Sequence, residues 1–170
     1  NMGSPDERVE RNNTVKRHRV PMPHNFWIGK YEVTHAKWFE VMQHNPSTFQ
    51  MGPILDFPVE TVSWHHVQDF IDKLNLAAGG NFYRLPTEAE WEYVAKADTT
   101  SKWPFGDDVI QLGDFAHTDN VRMPKAKGEK NANAWGVHDL YGNVNEWCED
   151  WYHATREVAQ GGCPPENGTY

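Results

Sequence analysis

Three stretches of the chain repeat their apolar residues at helical spacing, and each follows a residue suited to cap a helix. Thr34 precedes Trp38, Phe39 and Met42. Ser63 precedes Trp64, Val67, Phe70, Ile71 and Leu74, and Thr87 precedes Trp91, Val94 and Ala95. A hydroxyl at such a position accepts a hydrogen bond from an N–H two or three residues on, so a helix is predicted after each. Thr87-Glu88-Ala89-Glu90 completes a capping box, and its acids suit the positive end of a helix. Asn45-Pro46-Ser47 stops the first helix and Gly79-Gly80 the second. Phe26 to Val33 and Phe82 to Leu85 are rich in aromatic and β-branched residues and predict strands. Val15 to Met22 predicts an edge strand limited by Pro21 and Pro23, and Val59 to Val62 a short extended piece.

Elsewhere the periodicity fades. Residues 1–25 alternate in charge and predict mostly loop, as do residues 46–60 with Pro46, Pro53 and Pro58. Residues 98–132 carry no period, which is uncommon at that length unless the stretch is functional or held by ions. Within it, Trp103-Pro104-Phe105-Gly106-Asp107-Asp108 reads as a turn. Arg84, if buried, needs a carboxylate from Glu88 or Glu92. His18, His24, His65 and His66 read as surface groups, and residues 152–170 as a surface loop.

Composition narrows the choice. The 170 residues predict one domain, 1–170, with room for a core. Eight Trp, eight Phe and six Tyr beside 13 Gly and 11 Pro point to a loop-rich fold with aromatic clusters. A net charge of −8 argues against a nucleic-acid partner. No apolar run approaches the roughly 20 residues of a membrane span. There is no nucleophile elbow, P-loop, dinucleotide fingerprint or H-E-x-x-H, so nothing reads as an independent hydrolase. Cys148 and Cys163 form neither a disulfide framework nor a zinc pattern, though they could pair in an exported chain. The chain opens at Asn1 without a signal peptide and reads as a mature or trimmed piece. An exported location, periplasmic or extracellular, is favoured.

One stretch concentrates the chemistry. Asn133 to Trp151 packs three Trp, two Gly, three Asn and a set of carboxylates together. Gly136 and Gly142 allow angles that other residues resist. Asp139 and Glu146 bracket Gly142, so a tight turn would bring both acids to one point, with the tryptophans burying it. Carboxylates and turn carbonyls are the hard oxygen ligands Ca²⁺ prefers. The same residues would equally make a buried aromatic turn whose acids cap backbone N–H groups.

These residues also carry a resemblance. Asn-Ala-Trp-Gly-Val-His-Asp-Leu-Tyr-Gly-Asn-Val-Asn-Glu-Trp, residues 133–147, resembles the signature of the formylglycine-generating-enzyme (sulfatase-modifying factor) family. Met2-Gly3-Ser4-Pro5, Gly29-Lys30-Tyr31-Glu32-Val33-Thr34 and Tyr83-Arg84-Leu85-Pro86-Thr87-Glu88-Ala89-Glu90-Trp91-Glu92-Tyr93 agree with it in the same order. The resemblance implies an α+β, irregular C-type-lectin-like fold with a few short helices and small antiparallel sheets. It implies a structural Ca²⁺ held by Asp139, the carbonyls of Leu140, Gly142 and Val144, and Glu146. It gives Glu32 the task of tying down backbone and makes the Arg84 segment architectural.

Catalytic members of that family oxidise a cysteine of a target protein to formylglycine through a copper(I)-binding cysteine pair, and soft thiolates suit that ion. The pair follows the aromatic motif, after an Arg-Gly-Gly-Ser stretch, so the domain reads as lacking its C-terminal segment. Copper is then expected only if that segment supplies the cysteines. Cys148 and Cys163 do not match the pair, and Cys148, between Glu146 and Glu149, is expected to have a raised pKa. No catalytic or cofactor-binding residue is assigned. Asp119 and Asn120 lie where the family has another calcium site, but they are not assigned to it. The implied role is maturation of a protein or metabolite, acting on a protein or peptide target. The alternative is a non-catalytic binding module for a variable ligand, like the variable proteins of diversity-generating retroelements. Asn145, where members usually have Trp, suits a diverged member.

Overall fold

The structure, a computed structural model, describes residues 20–22, 24–50, 54–117 and 123–151. The three expected helices are present: α1 (His35–Met42), α2 (Trp64–Ala78) and α3 (Glu88–Lys96). Each starts at the expected cap. Thr34 Oγ1 accepts from Lys37 N, Ser63 Oγ from His66 N and Thr87 Oγ1 from Glu90 N. The Glu90 carboxylate returns the bond to Thr87 N at 2.9 Å, completing the capping box. His66 does the same for α2, its Nδ1 accepting from Ser63 N, a role the sequence reading had not given it. His24, His65 and His66 are otherwise exposed. His18 lies outside the described residues.

Two apolar clusters organise these helices. Trp38 of α1 and Phe70 of α2 stack with centroids 4.9 Å apart and rings 2° from parallel, joined by Ile71 and Leu85. Val94 and Ala95 of α3 meet Val137 and Leu140 of the aromatic stretch, with Phe26, Ile28, Trp91 and Tyr141 around them. The second cluster fixes that stretch in space.

Among the described residues the expected strands do not form. Among the described residues the only pairings are the isolated antiparallel bridges Thr34–Pro58 and Trp103–Gly106. Along Phe26 to Val33, Phe26 and Ile28 are half-buried and Trp27 is fully exposed, the alternation of a strand. Yet among the described residues its backbone bonds to the rest of the backbone only at Val33 O, which accepts from Val59 N, and Lys30 O, which accepts from His138 N. Pro58 has no N–H to extend a ladder, so pairing ends at one bridge. Phe82 to Leu85 is irregular for another reason: a side chain takes its backbone. Asn75 Oδ1 accepts from Phe82 N and Tyr83 N, both at 2.8 Å, and its amide donates to Tyr83 O at 2.9 Å. The edge strand expected from Val15 falls outside the described residues up to 19, and residues 20–22 are irregular.

Two further expectations need correction. Arg84 is half-exposed and pairs with Glu90, not with Glu88 or Glu92, through contacts of 2.6 and 2.7 Å, with Glu149 at 3.8 Å. Glu90 wins because its capping-box bond already turns it back toward Arg84. The unperiodic stretch contains a 3₁₀ turn (Val109–Gln111) and a single helical turn, α4 (Leu112–Phe115). Phe105 is stacked between Trp103 and Phe115, at 5.7 and 4.5 Å, so aromatic contacts bind the described part of that excursion.

Asn75 replaces strand pairing with three hydrogen bonds. Asn75→Ala is therefore expected to lower unfolding free energy by about 2–3 kcal/mol, at about 1 kcal/mol per bond. Urea unfolding followed by tryptophan fluorescence measures it. A loss under 0.5 kcal/mol would show that the 82–83 segment is held by other contacts.

Candidate metal centre

The turn is built on Asn133. Its side-chain oxygen accepts from Trp135 N at 3.0 Å and Val137 N at 3.1 Å, while its amide donates to Val94 O of α3 at 2.8 Å. One buried side chain thus shapes the turn and fastens it to a helix. Gly136, at φ 79°, supplies the left-handed residue the turn requires. Tyr141 OH donates to Ala95 O at 2.8 Å, a second tie to α3. The tryptophans do less than expected. Trp135 and Trp147 are 39% and 40% exposed, and Val137, Leu140 and Tyr141 do the burying instead.

The next bend also departs from expectation in its detail. The left-handed positions are Asp139 (φ 63°) and Asn143 (φ 73°), the polar residues that tolerate that region best, and not Gly142. Gly142 is required for a different reason. A Cβ there would lie 2.5 Å from the carbonyl oxygen of His117, so only glycine allows the two backbones to approach.

Three carboxylates face this bend. Asp139 is 3% exposed; its Oδ2 accepts from Gly128 N at 2.6 Å, and its Oδ1 is buried with no hydrogen-bond partner among the described residues. Glu146 accepts from Trp91 Nε1 at 2.9 Å. The residue is exposed overall, and that bond fixes its carboxylate. Burial, above the nearby charge of Asp139, raises its pKa. Glu32 accepts from Asn143 Nδ2 at 2.7 Å and from Val144 N at 3.4 Å. This is the backbone-tying role expected of it. Burial, then the charges of Asp139 and Glu146, push its pKa up to about 8. The three acids share one electrostatic field, and no sequence signal placed Glu32 beside the other two.

Among the described residues, no three His, Cys, Asp or Glu side chains converge closely enough to hold a metal. The expected ligand set is of another kind, two carboxylates plus the carbonyls of Leu140, Gly142 and Val144. No described N–H donates to any of those three carbonyls. These carbonyls, the Asp139 Oδ1 without a partner among the described residues and the Glu146 carboxylate are all hard oxygens, the donor chemistry that suits Ca²⁺.

Cys148 is half-buried. Burial first, then the charges of Asp150, Glu88 and Glu146, push its thiol up to about 11. The direction is as expected, but burial leads and Glu149 is not among the causes. A thiol held protonated at neutral pH is a poor nucleophile, and a metal would have to displace its proton to bind it. Cys163, Asp119, Asn120 and residues 152–170 lie outside the described residues.

The family model for the sulfatase-modifying factor enzyme 1-like domain matches residues 1–167. The chain is 31% identical to the chaperone protein LppX of Paenibacillus barcinonensis over 75% of its own length and 63% of that protein's. It is 33% identical to the formylglycine-generating enzyme of Thermomonospora curvata over 66% of its own length and 41% of that enzyme's. The chain thus spans less than two thirds of these relatives. Among solved structures, PvdO from Pseudomonas aeruginosa superposes with a TM-score of 0.76 at 26% identity, covering 93% of this chain and 69% of PvdO. Variable protein 1 of Treponema denticola superposes at 0.65 with 29% identity, covering 72% and 63%. These likenesses bear out the irregular C-type-lectin-like architecture. They add no sheet to the described residues.

The carboxylate field has a measurable consequence. Folded protein keeps the Glu32 proton up to about pH 8, whereas an unfolded chain releases it near 4.5. The folded state therefore binds more protons between those values, and stability falls as pH rises through them. In chelator-treated protein, Glu32→Gln is expected to flatten that fall and to be more stable than the parent at pH 9 by roughly 2–4 kcal/mol. Denaturant unfolding at pH 5, 7 and 9 tests this, and parallel pH profiles for parent and variant would remove Glu32 as the cause.

Proposed function

Because the chain belongs to the sulfatase-modifying factor enzyme 1-like domain family, we propose that it acts in the maturation of a protein or metabolite. In this reading the described residues form a calcium-held scaffold and not the reactive centre. The observation that carries it is the buried Oδ1 of Asp139, without a partner among the described residues and with the carboxyls of Glu32 and Glu146 close by. Buried charge of one sign is costly unless it is paired or coordinated. Asp139, Glu146 and the carbonyls of Leu140, Gly142 and Val144 would hold the ion. Glu32 would stand behind them, orienting Asn143 and Val144. The ion would supply structural cross-linking of an irregular bend.

Calcium is then expected to raise the melting temperature of chelator-treated protein. Ion at 100 times its dissociation constant stabilises the folded state by about 2.7 kcal/mol. Magnesium at equal concentration should do much less, because it resists giving up its water shell. Asp139→Ala should abolish the calcium response. Equal melting temperatures with calcium and with chelator would sink the scaffold reading.

Oxidation of a target cysteine is the specific maturation step suggested by the likeness to formylglycine-generating enzymes. It requires a copper-binding cysteine pair, and Cys148 is unsuited to be half of one. The pair would have to lie in sequence following residue 151. Incubation of full-length protein with copper(I), dioxygen as oxidant, a thiol reductant to supply two further electrons and a cysteine-containing peptide is expected to yield a peptide aldehyde, with the sulfur released as hydrogen sulfide; hydrazide labelling detects the aldehyde. A full-length protein without two cysteines after the aromatic motif, and without aldehyde product, would favour the second reading, a ligand-binding module. The likeness to variable protein 1 and the outward display of Trp27 and Phe82 speak for it.

A further inference from the structure

Away from the carboxylate bend, one titratable side chain is buried at the start of α1. His35, the first residue of that helix, is 2% exposed, and neither of its ring nitrogens has a hydrogen-bond partner among the described residues. Three residues on, Trp38 is 1% exposed, and its Nε1 is likewise without a partner there. The two residues lie along the seam between α1 and the segment that follows the 3₁₀ turn Ile54–Asp56. The seam is narrow. His35 N donates to Phe57 O at 2.9 Å and Val59 N to Val33 O at 2.8 Å, on either side of the Thr34–Pro58 bridge, where Pro58 is fully buried.

No group around the ring is placed to compensate a charge on it. The Pro58 carbonyl lies near without hydrogen-bond geometry, and Glu60 is the acid whose charge reaches the ring. Both Glu60 oxygens are committed, Oε1 to Phe49 N at 2.8 Å and Oε2 to the Thr61 hydroxyl. On the 3₁₀ turn, Asp56 pairs with Lys127, and on α1 itself Lys37 pairs with Glu40 in solvent. From α2 the contact is Phe70 stacked on Trp38, while Asp69, Asp72 and Lys73 of that helix are exposed. The N–H groups of the first turn of α1 add partial positive charge, which opposes an imidazolium at that end. Burial outweighs the pull of Pro58 and Glu60 and lowers the His35 pKa from the usual 6.5.

We infer that His35 makes this seam an acid-sensitive latch: α1 stays docked on residues 57–60 while the imidazole is neutral and undocks locally once the ring takes a proton. With the seam open the ring meets water and binds its proton near the ordinary histidine value. With the seam closed it binds the proton only at lower pH. The open state therefore holds more protons as pH falls through 6.5, and opening is favoured toward acid. Two backbone hydrogen bonds and one bridge hold the seam in place of a ladder, so it can open without the rest of the fold. The latch stands apart from calcium binding, since none of its groups belongs to the proposed ligand set.

The test is amide hydrogen exchange by NMR on the full chain in chelator at pH 7 and pH 5, corrected for the intrinsic pH dependence of exchange. The amides of residue 35 and Val59 report the seam, and those of Trp91 and Ala97, bonded to Thr87 O and Tyr93 O, report α3. The measure is the parent relative to His35→Leu, because the opposite pH dependence from Glu32 is common to both. Relative protection at the seam is expected to fall about tenfold from pH 7 to pH 5, the signature of one proton taken up on opening. Relative protection in α3 should not change, and His65→Gln, at an exposed histidine of α2, should behave as the parent. Titration of the His35 ring in the parent is expected below pH 6.5 and decides the matter if the leucine variant does not fold. A ring titrating at or above 6.5 would overturn the inference. So would identical pH profiles for parent and His35→Leu, or an equal loss in α3, which would mean that the whole fold opens and not the seam.

Discussion

Asp139 is buried with one oxygen satisfied and the other without a partner among the described residues, and several loop contacts are arranged around it. Gly128 N meets one oxygen, which fixes the loop around Gly128. Glu32 and Asn143 brace the bend from the far end of the sequence. Trp91 of α3 reaches across to Glu146. A hydrogen bond lost beside a buried charge costs more than one lost beside a neutral group. These contacts are therefore coupled: disturbing any one exposes the others to an unbalanced negative field. Few regular hydrogen-bond ladders exist to absorb such a disturbance, so a cation at this point would act on more of the fold than its immediate ligands.

Where ladders are missing, polar side chains take over the backbone. Asn75 serves residues 82–83, Asn133 serves residues 135–137, and Asn143 serves Lys125. Each is an asparagine because its amide can donate and accept at once, which a neighbouring strand would otherwise do. The two apolar clusters set the helices, and these three amides set the loops between them. The division explains how a chain with many Gly and Pro residues holds a defined shape around a small amount of helix.

The helices were legible because their signals are local. A hydroxyl cap, a reciprocal acid and a 3.6-residue stripe all lie within one turn or two, and tertiary packing agreed with them. The strands were not legible because a strand is a property of two segments. Phe26 to Val33 has the alternation, but its partner offers Pro58 where a donor is needed. Arg84 was misassigned for a similar reason. Glu88 and Glu92 were offered as partners for a buried Arg84, but the side chain is half-exposed and the capping box had already oriented Glu90 toward it. At the candidate centre, Asp139, Gly142 and Glu146 could be read from one motif. Glu32 could be given its backbone-tying role by resemblance, yet nothing in its spacing placed it within the field of Asp139 and Glu146. Gly142 was singled out rightly for the wrong property, since a close approach to His117 leaves no trace in the residues flanking it.

Cys148 shows why the scaffold and the chemistry must be separated. It sits in the motif most diagnostic of the family, within reach of the same acids that make the bend attractive to a hard cation. Burial first, then the charges of Asp150, Glu88 and Glu146, hold the thiol protonated. The field that favours calcium at Asp139 and Glu146 therefore disfavours a thiolate a few residues away. A metal ion that bound this thiol would have to displace its proton first, at a cost set by that burial. Hard carboxylate and carbonyl oxygens and a single buried thiol also call for different ions, the first for Ca²⁺ and the second for a soft metal. The proposed scaffold reading therefore rests on the oxygens of the bend and leaves Cys148 out of the ligand set.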